Sequence, residues 1–175
     1  MRQLTASRTG FSFIQLLTAI ALLAILVAVA LPGLRNAINL VRAEQMKNHL
    51  LAAFASARAT AISRQQDVTI CASSDGFGCG QDWGVGWLIF LDPDRTGEPS
   101  GPEAILRHHA GRRQGHLQVR SSSGRPALRY ASNGRSFGTN LTISLCVGGM
   151  LHSEIIVNNS GRVRSQVHRH RPACL

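Results

Sequence analysis

The chain has 175 residues, a formal net charge of +10 and 44% hydrophobic residues. If its apolar start forms a membrane segment, roughly 110 to 140 residues remain, which is enough for one core and does not call for a second domain. No internal repeat occurs, and no low-complexity tract occurs beyond the basic C-terminus.

Charge is segregated along the chain. Residues 67–103 contain seven acids and one arginine, whereas residues 104–175 contain eleven arginines and one acid, Glu154. Arginine presents a planar fork of donors that suits phosphate. The basic half therefore favours a polyanion as partner, and a solvated basic face is the alternative.

The N-terminal segment begins with a short basic leader, residues 1–10, and continues as an unbroken apolar run, residues 11–31. As a helix that run is about 31 Å long, enough to cross a bilayer core. In an ordinary secretory signal the small-residue cleavage site follows the apolar region. Here the small residue Gly10 precedes it, so a cut between Gly10 and Phe11 would leave the helix on the mature protein. A plain single-pass anchor is the alternative.

The sequence Gly-Phe-Ser-Phe-Ile-Gln-Leu-Leu at residues 10–17, with Pro32 closing the run, resembles the prepilin motif of type IV pilins and type II secretion pseudopilins. The resemblance implies that a membrane prepilin peptidase cuts after Gly10 and that the new terminal Phe11 is N-methylated. The family's glutamate is replaced by Gln15, which has no charge to pair with a neighbouring subunit. We therefore expect a minor subunit.

Apolar spacing of three or four residues predicts one helix from about Ser12 to Arg64. Pro32 lacks an amide hydrogen and kinks a helix without necessarily ending it. We predict a membrane or filament-core half at residues 11–36 and a globular domain at residues 37–175. The stripe expected to pack on that domain is Ala43, Met46, Leu50, Phe54, Ala57 and Ala61.

Eight short β-type runs follow the helix and are separated by glycine, asparagine and serine, which is typical of antiparallel strands. The predicted class is α+β, a long N-terminal helix packed on an antiparallel sheet or sandwich. The order of these segments resembles the FimT/GspH branch of minor pilins. The predicted strands are residues 68–71, 86–91, 104–107, 116–120, 127–130, 141–146, 154–157 and 162–164.

Four cysteines on the exported side of a membrane segment indicate two disulfides. Three pairings are open, and we predict Cys71 with Cys79 and Cys146 with Cys174. A zinc site is an alternative by ligand type, although no Cys-x-x-Cys pair is present. Its ligands would be Cys146, His168, His170 and Cys174.

Residues 92–97 with Glu103 nearly fit a calcium loop, but Thr96 replaces one ligand and the flanks are strand-like rather than helical. A polar hairpin loop is the prediction. His108, His109 and His116 lie among arginines, without a nucleophile or paired carboxylates, and are expected to be surface groups. We predict no enzyme activity, no cofactor and no metal.

The motif at residues 161–164, Gly-Arg-Val-Arg, is the sharpest functional signal. In a strand, Arg162 and Arg164 would project to one side roughly 6.5 to 7 Å apart, a spacing that suits successive phosphates. By resemblance to FimT proteins, in which a Gly-Arg-x-Arg motif is implicated in DNA capture, these two bind DNA. The alternative is an edge strand protected by charge. The further predicted DNA contacts are Arg169 and Arg171 in the tail, and Arg112 and Arg113.

These observations predict a minor type IV pilin that binds extracellular DNA without sequence preference during natural transformation. Its partners would be DNA, other major and minor pilins, prepilin peptidase and, before assembly, the inner membrane. It would start as a single-pass inner-membrane protein with a periplasmic C-terminal domain and move to the cell surface in the pilus. The rivals are a structural pseudopilin of the GspH type in type II secretion, and an adhesin or membrane-surface binder.

Overall fold

The computed structural model describes residues 12–123, 125–138, 140–168 and 170–174. One long helix, α1, spans Phe13–Arg64, and eight strands follow it. The strands are β1 Val68–Ala72, β2 Gly86–Leu91, β3 Ile105–Ala110, β4 Leu117–Ser121, β5 Ala127–Tyr130, β6 Leu141–Val147, β7 Met150–Val157 and β8 Val163–Val167. A short 3₁₀ helix, Pro102–Ala104, precedes β3. The predicted α+β class and all eight strands are confirmed.

The chain divides into two compact units, Met1–Ile38 and Asn39–Leu175, and α1 contributes to both. In the first unit every described residue is exposed, including large apolar side chains such as Phe13 and Leu26. The segment is long and apolar enough to cross a bilayer, with a mean hydropathy of 2.8 over 18 residues. It fits a single-pass membrane anchor.

The start of α1 carries a capping interaction that involves Gln15. The backbone N–H of Ser12 donates to the side-chain oxygen of Gln15 at 3.0 Å. Ser12 stands at the N-cap and Gln15 three residues later, which is the arrangement of one half of a capping box. Gln15 therefore satisfies a backbone donor of its own chain, a role that needs an oxygen but no charge.

In the second unit, α1 buries one stripe against the sheets. Leu50 and Phe54 have no exposed surface, and all six residues of the predicted stripe are buried. Burying a side chain of this size contributes about 1.5–3 kcal/mol relative to leaving it exposed. The stripe prediction is confirmed, with Ala53 and Lys47 buried in addition. Lys47 is ion-paired with Glu44 one turn earlier.

Two four-stranded antiparallel sheets complete the second unit. The first sheet has the order β3-β2-β1-β5, and the second has the order β4-β6-β7-β8. Apolar residues that alternate along the strands meet the α1 stripe in one core, for example Ile70 of β1 and Ile155 of β7. In the second sheet β8 is an edge strand, paired only with β7 among the named strands.

Candidate nucleic-acid interface

The turn between β7 and β8 is held by Asn158. The backbone N–H of Gly161 donates to the Asn158 carbonyl at 2.8 Å. The Asn158 side-chain oxygen accepts from the Arg162 N–H at 3.1 Å and from the Ser160 hydroxyl at 2.7 Å. Asparagine is favoured at such turns because its side chain satisfies backbone donors further along the chain. The conformation of the turn therefore fixes the position of the Arg162 backbone.

The glycine of the motif has a structural role. Gly161 has a φ of +74°, in the left-handed region that residues with a Cβ rarely adopt. A Cβ at this position would also fall inside the contact radius of the Gly134 carbonyl oxygen. Two backbone segments thus approach so closely at Gly161 that no side chain fits.

Arg162 and Arg164 lie where the turn becomes β8. The predicted strand of residues 162–164 is wrong at its start, since β8 begins at Val163 and Arg162 belongs to the turn. Val163 pairs with Val157 and packs against the core. Arg162 and Arg164 flank this inward residue, and both are exposed. Neither guanidinium has a hydrogen-bond or ion-pair partner within the described ranges, so both are available to a ligand.

Arg58 of α1 joins the turn to a second loop. Its Nε donates to the Gly134 carbonyl at 3.0 Å, and its Nη2 donates to the Ser160 carbonyl at 3.2 Å. An open hollow of about 300 Å³ lies between α1 and the turn, lined by Arg58 and Arg162 among others. This role of Arg58 could not be predicted from the sequence, because its partners lie 76 and 102 positions away and no local pattern links them.

Beyond β8, the C-terminal tail runs alongside β7, the strand that also pairs with β8. The N–H of Leu151 donates to the Pro172 carbonyl, and the N–H of Cys174 donates to the Gly149 carbonyl, each at 2.8 Å. Arg171 is exposed on this tail. Arg169, the other predicted tail contact, lies outside the described residues, as do Gly10 and Phe11 of the predicted cleavage site.

Glu154, the one acid of the basic half, lies on β7 next to β8. Its Oε2 lies 2.8 Å from His168 Nε2, and its Oε1 accepts from the Ser144 hydroxyl at 3.4 Å. The carboxylate is half-buried under these partners. His168 and Ser144 therefore partly shield the negative charge of Glu154, which lies on the same sheet as Arg164.

Arg112 and Arg113 occupy a different place from Arg162. They lie in the loop before β4, at the opposite edge of the second sheet from β8. Three strand spacings separate those edges, about 14 Å. Arg113 forms an ion pair with Asp82 at 2.6 Å. Arg112 is exposed and lines a hollow of about 350 Å³ together with Arg42 of α1.

The structure contains the disulfides Cys71–Cys79 and Cys146–Cys174, the same two pairs that the sequence analysis favoured. The second bond ties the tail to β6, a central strand. The zinc alternative needed both of these thiols as thiolates, and the disulfide removes them. Among the described residues no group of three or more metal-ligating side chains comes together.

The acidic loop of the calcium alternative binds its own chain instead. The buried Asp92 carboxylate accepts from the Thr69 hydroxyl at 2.7 Å and from the Gly97 N–H at 3.3 Å. Nearby, Asp75 accepts from the N–H of Phe77, and this bond holds the pKa of Asp75 below its usual value. These carboxylates stabilise turns between strands of the first sheet.

His109 differs from the surface group that the sequence analysis expected. Its ring stacks on Trp87 with centroids 4.0 Å apart and planes at 15°, and His49 of α1 meets it edge-on at 5.5 Å. Burial, followed by the nearby His49 and His108, lowers the pKa of His109. The pairing of Trp87 with His109 across β2 and β3 gives this ring a packing role. His108 and His116 are exposed, as predicted.

A long N-terminal helix, exposed and apolar at first and then packed on antiparallel sheets, defines the type IV pilin-like class of proteins. Within that class the model of the GspH family, described as type II transport protein GspH, matches residues 48–161. The chain belongs to the GspH family and is a type IV pilin-like minor pilin. The matched region ends at Gly161, so family membership says nothing about Arg162 or the basic tail.

Solved structures of a minor pilin and of a minor pseudopilin share the fold. The type IV minor pilin FimU of Pseudomonas aeruginosa is 24% identical with a TM-score of 0.61, over 77% of this chain and 96% of that one. The minor pseudopilin EpsH from the type 2 secretion system of Vibrio cholerae is 15% identical with a TM-score of 0.50, over 71% of this chain and 96% of that one. No curated protein matches the sequence. Proteins of this family are structural pilins and pseudopilins, generally without enzyme activity.

Proposed function

We propose that this chain is a minor type IV pilin that binds extracellular DNA, without sequence preference, for uptake in natural transformation. One observation carries the proposal. Arg162 and Arg164 are exposed on a hydrogen-bonded turn and edge strand, with no partner in the described part of the chain. The resemblance of residues 161–164 to the FimT motif gives this pair its role.

The electrostatics of the two halves support the same conclusion. Two carboxylates of the acidic half are paired with arginines of their own chain: Asp67 accepts from Arg95 Nε at 3.0 Å, and Asp82 pairs with Arg113. Ion pairs of this kind cancel much of each other's field at a distance. The exposed arginines at β8 are not cancelled in this way, so they can attract a polyanion.

The chemistry of the pair explains the expected lack of sequence preference. Guanidinium groups bind phosphate oxygens, and phosphates carry no sequence information. Each phosphate that is neutralised releases condensed counterions, so the affinity should fall steeply as salt rises. Arg171 and Arg169 of the tail, and more distantly Arg112, extend this proposed contact set.

The test uses the full-length chain in nanodiscs of zwitterionic lipid, so that the membrane adds no charge of its own. Fluorescence anisotropy with a labelled duplex should give a log–log salt slope of about 3 to 4 if four arginines engage. Replacing both Arg162 and Arg164 by Gln should flatten that slope by about 2 units. The same double variant in cells should lose transformation and keep its pili.

The matched control is Arg42→Gln with Arg107→Gln, which removes the same charge from two exposed arginines, on α1 and on the first sheet. It should leave the slope nearly unchanged. A wild-type chain that shows no salt-sensitive binding, or a control that weakens binding as much as the motif variant, contradicts the proposal.

The same proposal includes export and processing. We propose cleavage between Gly10 and Phe11 by prepilin peptidase, followed by N-methylation of Phe11 and assembly with other pilins. Mass spectrometry of the protein from sheared filaments should find methylated Phe11 as its first residue. Intact Met1 in membranes of cells with active peptidase would contradict this step.

A structural role in type II secretion is the second candidate, favoured by the description of the matched family and by the likeness to EpsH. In that case the chain would join a pseudopilus and have no nucleic-acid partner. Deleting the gene separates the two: loss of protein secretion with normal transformation supports the pseudopilin, and the reverse supports the DNA-binding pilin.

A further inference from the structure

A second loop approaches the arginine-bearing turn and presents an aromatic ring there. The loop of residues 131–138 is closed by two backbone bonds, from the N–H of Ala131 to the Arg135 carbonyl at 2.8 Å and from the N–H of Gly134 to the Ala131 carbonyl at 2.7 Å. The buried Ser136 then donates its N–H to the Asn159 carbonyl of the β7–β8 turn at 3.2 Å. This hydrogen bond fixes the position of the two loops relative to each other.

Arg135 and Phe137 flank the buried Ser136, and both are exposed. The Phe137 side chain retains 58% of its exposure, and its carbonyl accepts from Arg125 Nη2 at 3.3 Å. Because Ser136 is bonded to the turn that carries Arg162, the ring and the arginines are presented from adjoining loops. An apolar ring beside exposed cations is a different surface from a purely basic one.

The other exposed aromatic of the second unit provides a contrast. Phe77 is 70% exposed, but its neighbours are acids: Asp75 accepts its backbone N–H, and Glu98 accepts the N–H of Cys79 two residues later. The other rings of phenylalanine, tyrosine and tryptophan in the described part of this unit are buried. Phe137 is thus the exposed ring that lies among arginines, and Phe77 is the exposed ring that lies among carboxylates.

Single-stranded DNA matches this combination of groups. Proteins that bind single strands combine cations for the backbone with aromatic rings on which bases stack. In a duplex the bases are already stacked and paired, so their faces are not offered to an external ring. We infer that Phe137 stacks on a base of single-stranded DNA whose phosphates are bound by Arg162 and Arg135, an inference that rests on the DNA-binding function proposed above.

Single-stranded segments occur at frayed ends and gaps of environmental DNA. The ring supplies the strand selectivity, and the arginines supply affinity for either form. Gly161 and Arg58 keep the spacing between the two loops through their contacts with Gly134.

The experiment compares a labelled 20-nucleotide oligothymidine with a duplex of the same length, again with the full-length chain in zwitterionic nanodiscs. Phe137→Ala should weaken single-strand binding about 5- to 150-fold, the loss expected for removing one stacking ring. Duplex affinity should stay within about twofold of wild type, and both salt slopes should be unchanged, because no charge is removed. Phe137→Trp should keep or increase single-strand affinity.

The matched control is Phe77→Ala, which removes a ring that is 70% exposed and lies beside Asp75, and should bind both DNA forms as wild type does. If wild type binds DNA and Phe137→Ala binds the oligothymidine equally well, stacking is wrong while the phosphate contacts stand. Equal weakening on both forms would make Phe137 a support of the turn and also overturns stacking. A filament-assembly defect with unchanged DNA binding would assign the ring to a neighbouring subunit. A wild-type chain that binds neither form overturns both proposals.

Discussion

Residues 67–103 carry seven acids and one arginine, residues 104–175 carry eleven arginines and one acid, and the two halves place these charges differently. In the acidic half, carboxylates such as those of Asp92 and Asp67 bind backbone donors, hydroxyls and arginines of their own chain. In the basic half, Arg162 and Arg164 remain exposed, and Glu154 is covered by His168.

This difference shows that the sign of a charged side chain and its availability to a ligand are separate properties. Composition predicts the first, since acids and arginines can be counted along the chain. Availability depends on which groups the fold has already engaged, as with Arg113 and Asp82. Substitutions can therefore change either the contacts that hold the basic half in place or the charges that it exposes.

The largest expected effect comes from the disulfides, one in each half. Cys146–Cys174 closes a loop of separation 28 and Cys71–Cys79 one of separation 8. Chain entropy predicts losses of about 3.6 and about 2.5 kcal/mol in the free energy of unfolding when each pair is replaced by serine. Denaturant titration of each double variant in detergent checks this, and a larger loss from the Cys71 pair would reverse the predicted order.

Gly161→Ala should have the next largest effect. The left-handed backbone and the crowding against the Gly134 carbonyl should together cost about 2–3 kcal/mol of stability. DNA binding should weaken as well, since Arg162 would move with the turn. Thermal unfolding followed by circular dichroism measures the stability change.

Gly115→Ala is the control, because no atom lies within 4 Å of a Cβ at that position and its backbone is not left-handed. Equal stability for the two alanine variants would contradict the account of Gly161.

Arg58→Met should lower stability by about 1–2 kcal/mol, since two carbonyls lose a charged donor and the site is only half-buried. DNA affinity should fall because the turn loosens, while the salt slope stays the same because no phosphate contact is lost. Arg64→Met, at an exposed arginine later on the same helix, is the comparison. A slope reduced by about one unit in Arg58→Met would show instead that Arg58 binds phosphate directly.

The smallest expected effect tests the lone acid of the basic half. Glu154→Gln removes a negative charge from the strand beside β8. At roughly 10 Å in water two unit charges interact by about 0.4 kcal/mol, so DNA affinity should rise about twofold. Anisotropy titration at low salt is sensitive enough to detect this change. Weaker binding in this variant would mean that Glu154 positions His168 for DNA instead of repelling phosphate.

Much of the fold follows from periodicity in the sequence. The apolar residues of the α1 stripe from Ala43 to Ala61 recur every three or four positions, so the helix could be predicted. The strands alternate apolar and polar residues and are bounded by turn residues, so they could be predicted as well. The bounds were less accurate: β8 starts one residue later than predicted, because the turn of Asn158 includes Arg162. That error moves one member of the arginine pair out of the strand.

The parts of the site that sequence could not reveal depend on distant contacts. In the sequence, nothing distinguishes Arg58 from the other polar residues outside the α1 stripe. Its bonds to Gly134 and Ser160 form only when the chain folds. Phe137 looks like a core residue by type, and its exposure follows from the burial of Ser136 beside it. Likewise His109 becomes half-buried through stacking on Trp87.

The bond between Cys146 and Cys174 also has a mechanical consequence. Residues 146–174 form a covalently closed loop that contains β7, the turn and β8. An edge strand pulled through Arg162 or Arg164 would ordinarily peel away one hydrogen bond at a time. Here the disulfide stops the chain from extending beyond Cys146, so tension applied at β8 is transmitted to the central strand β6.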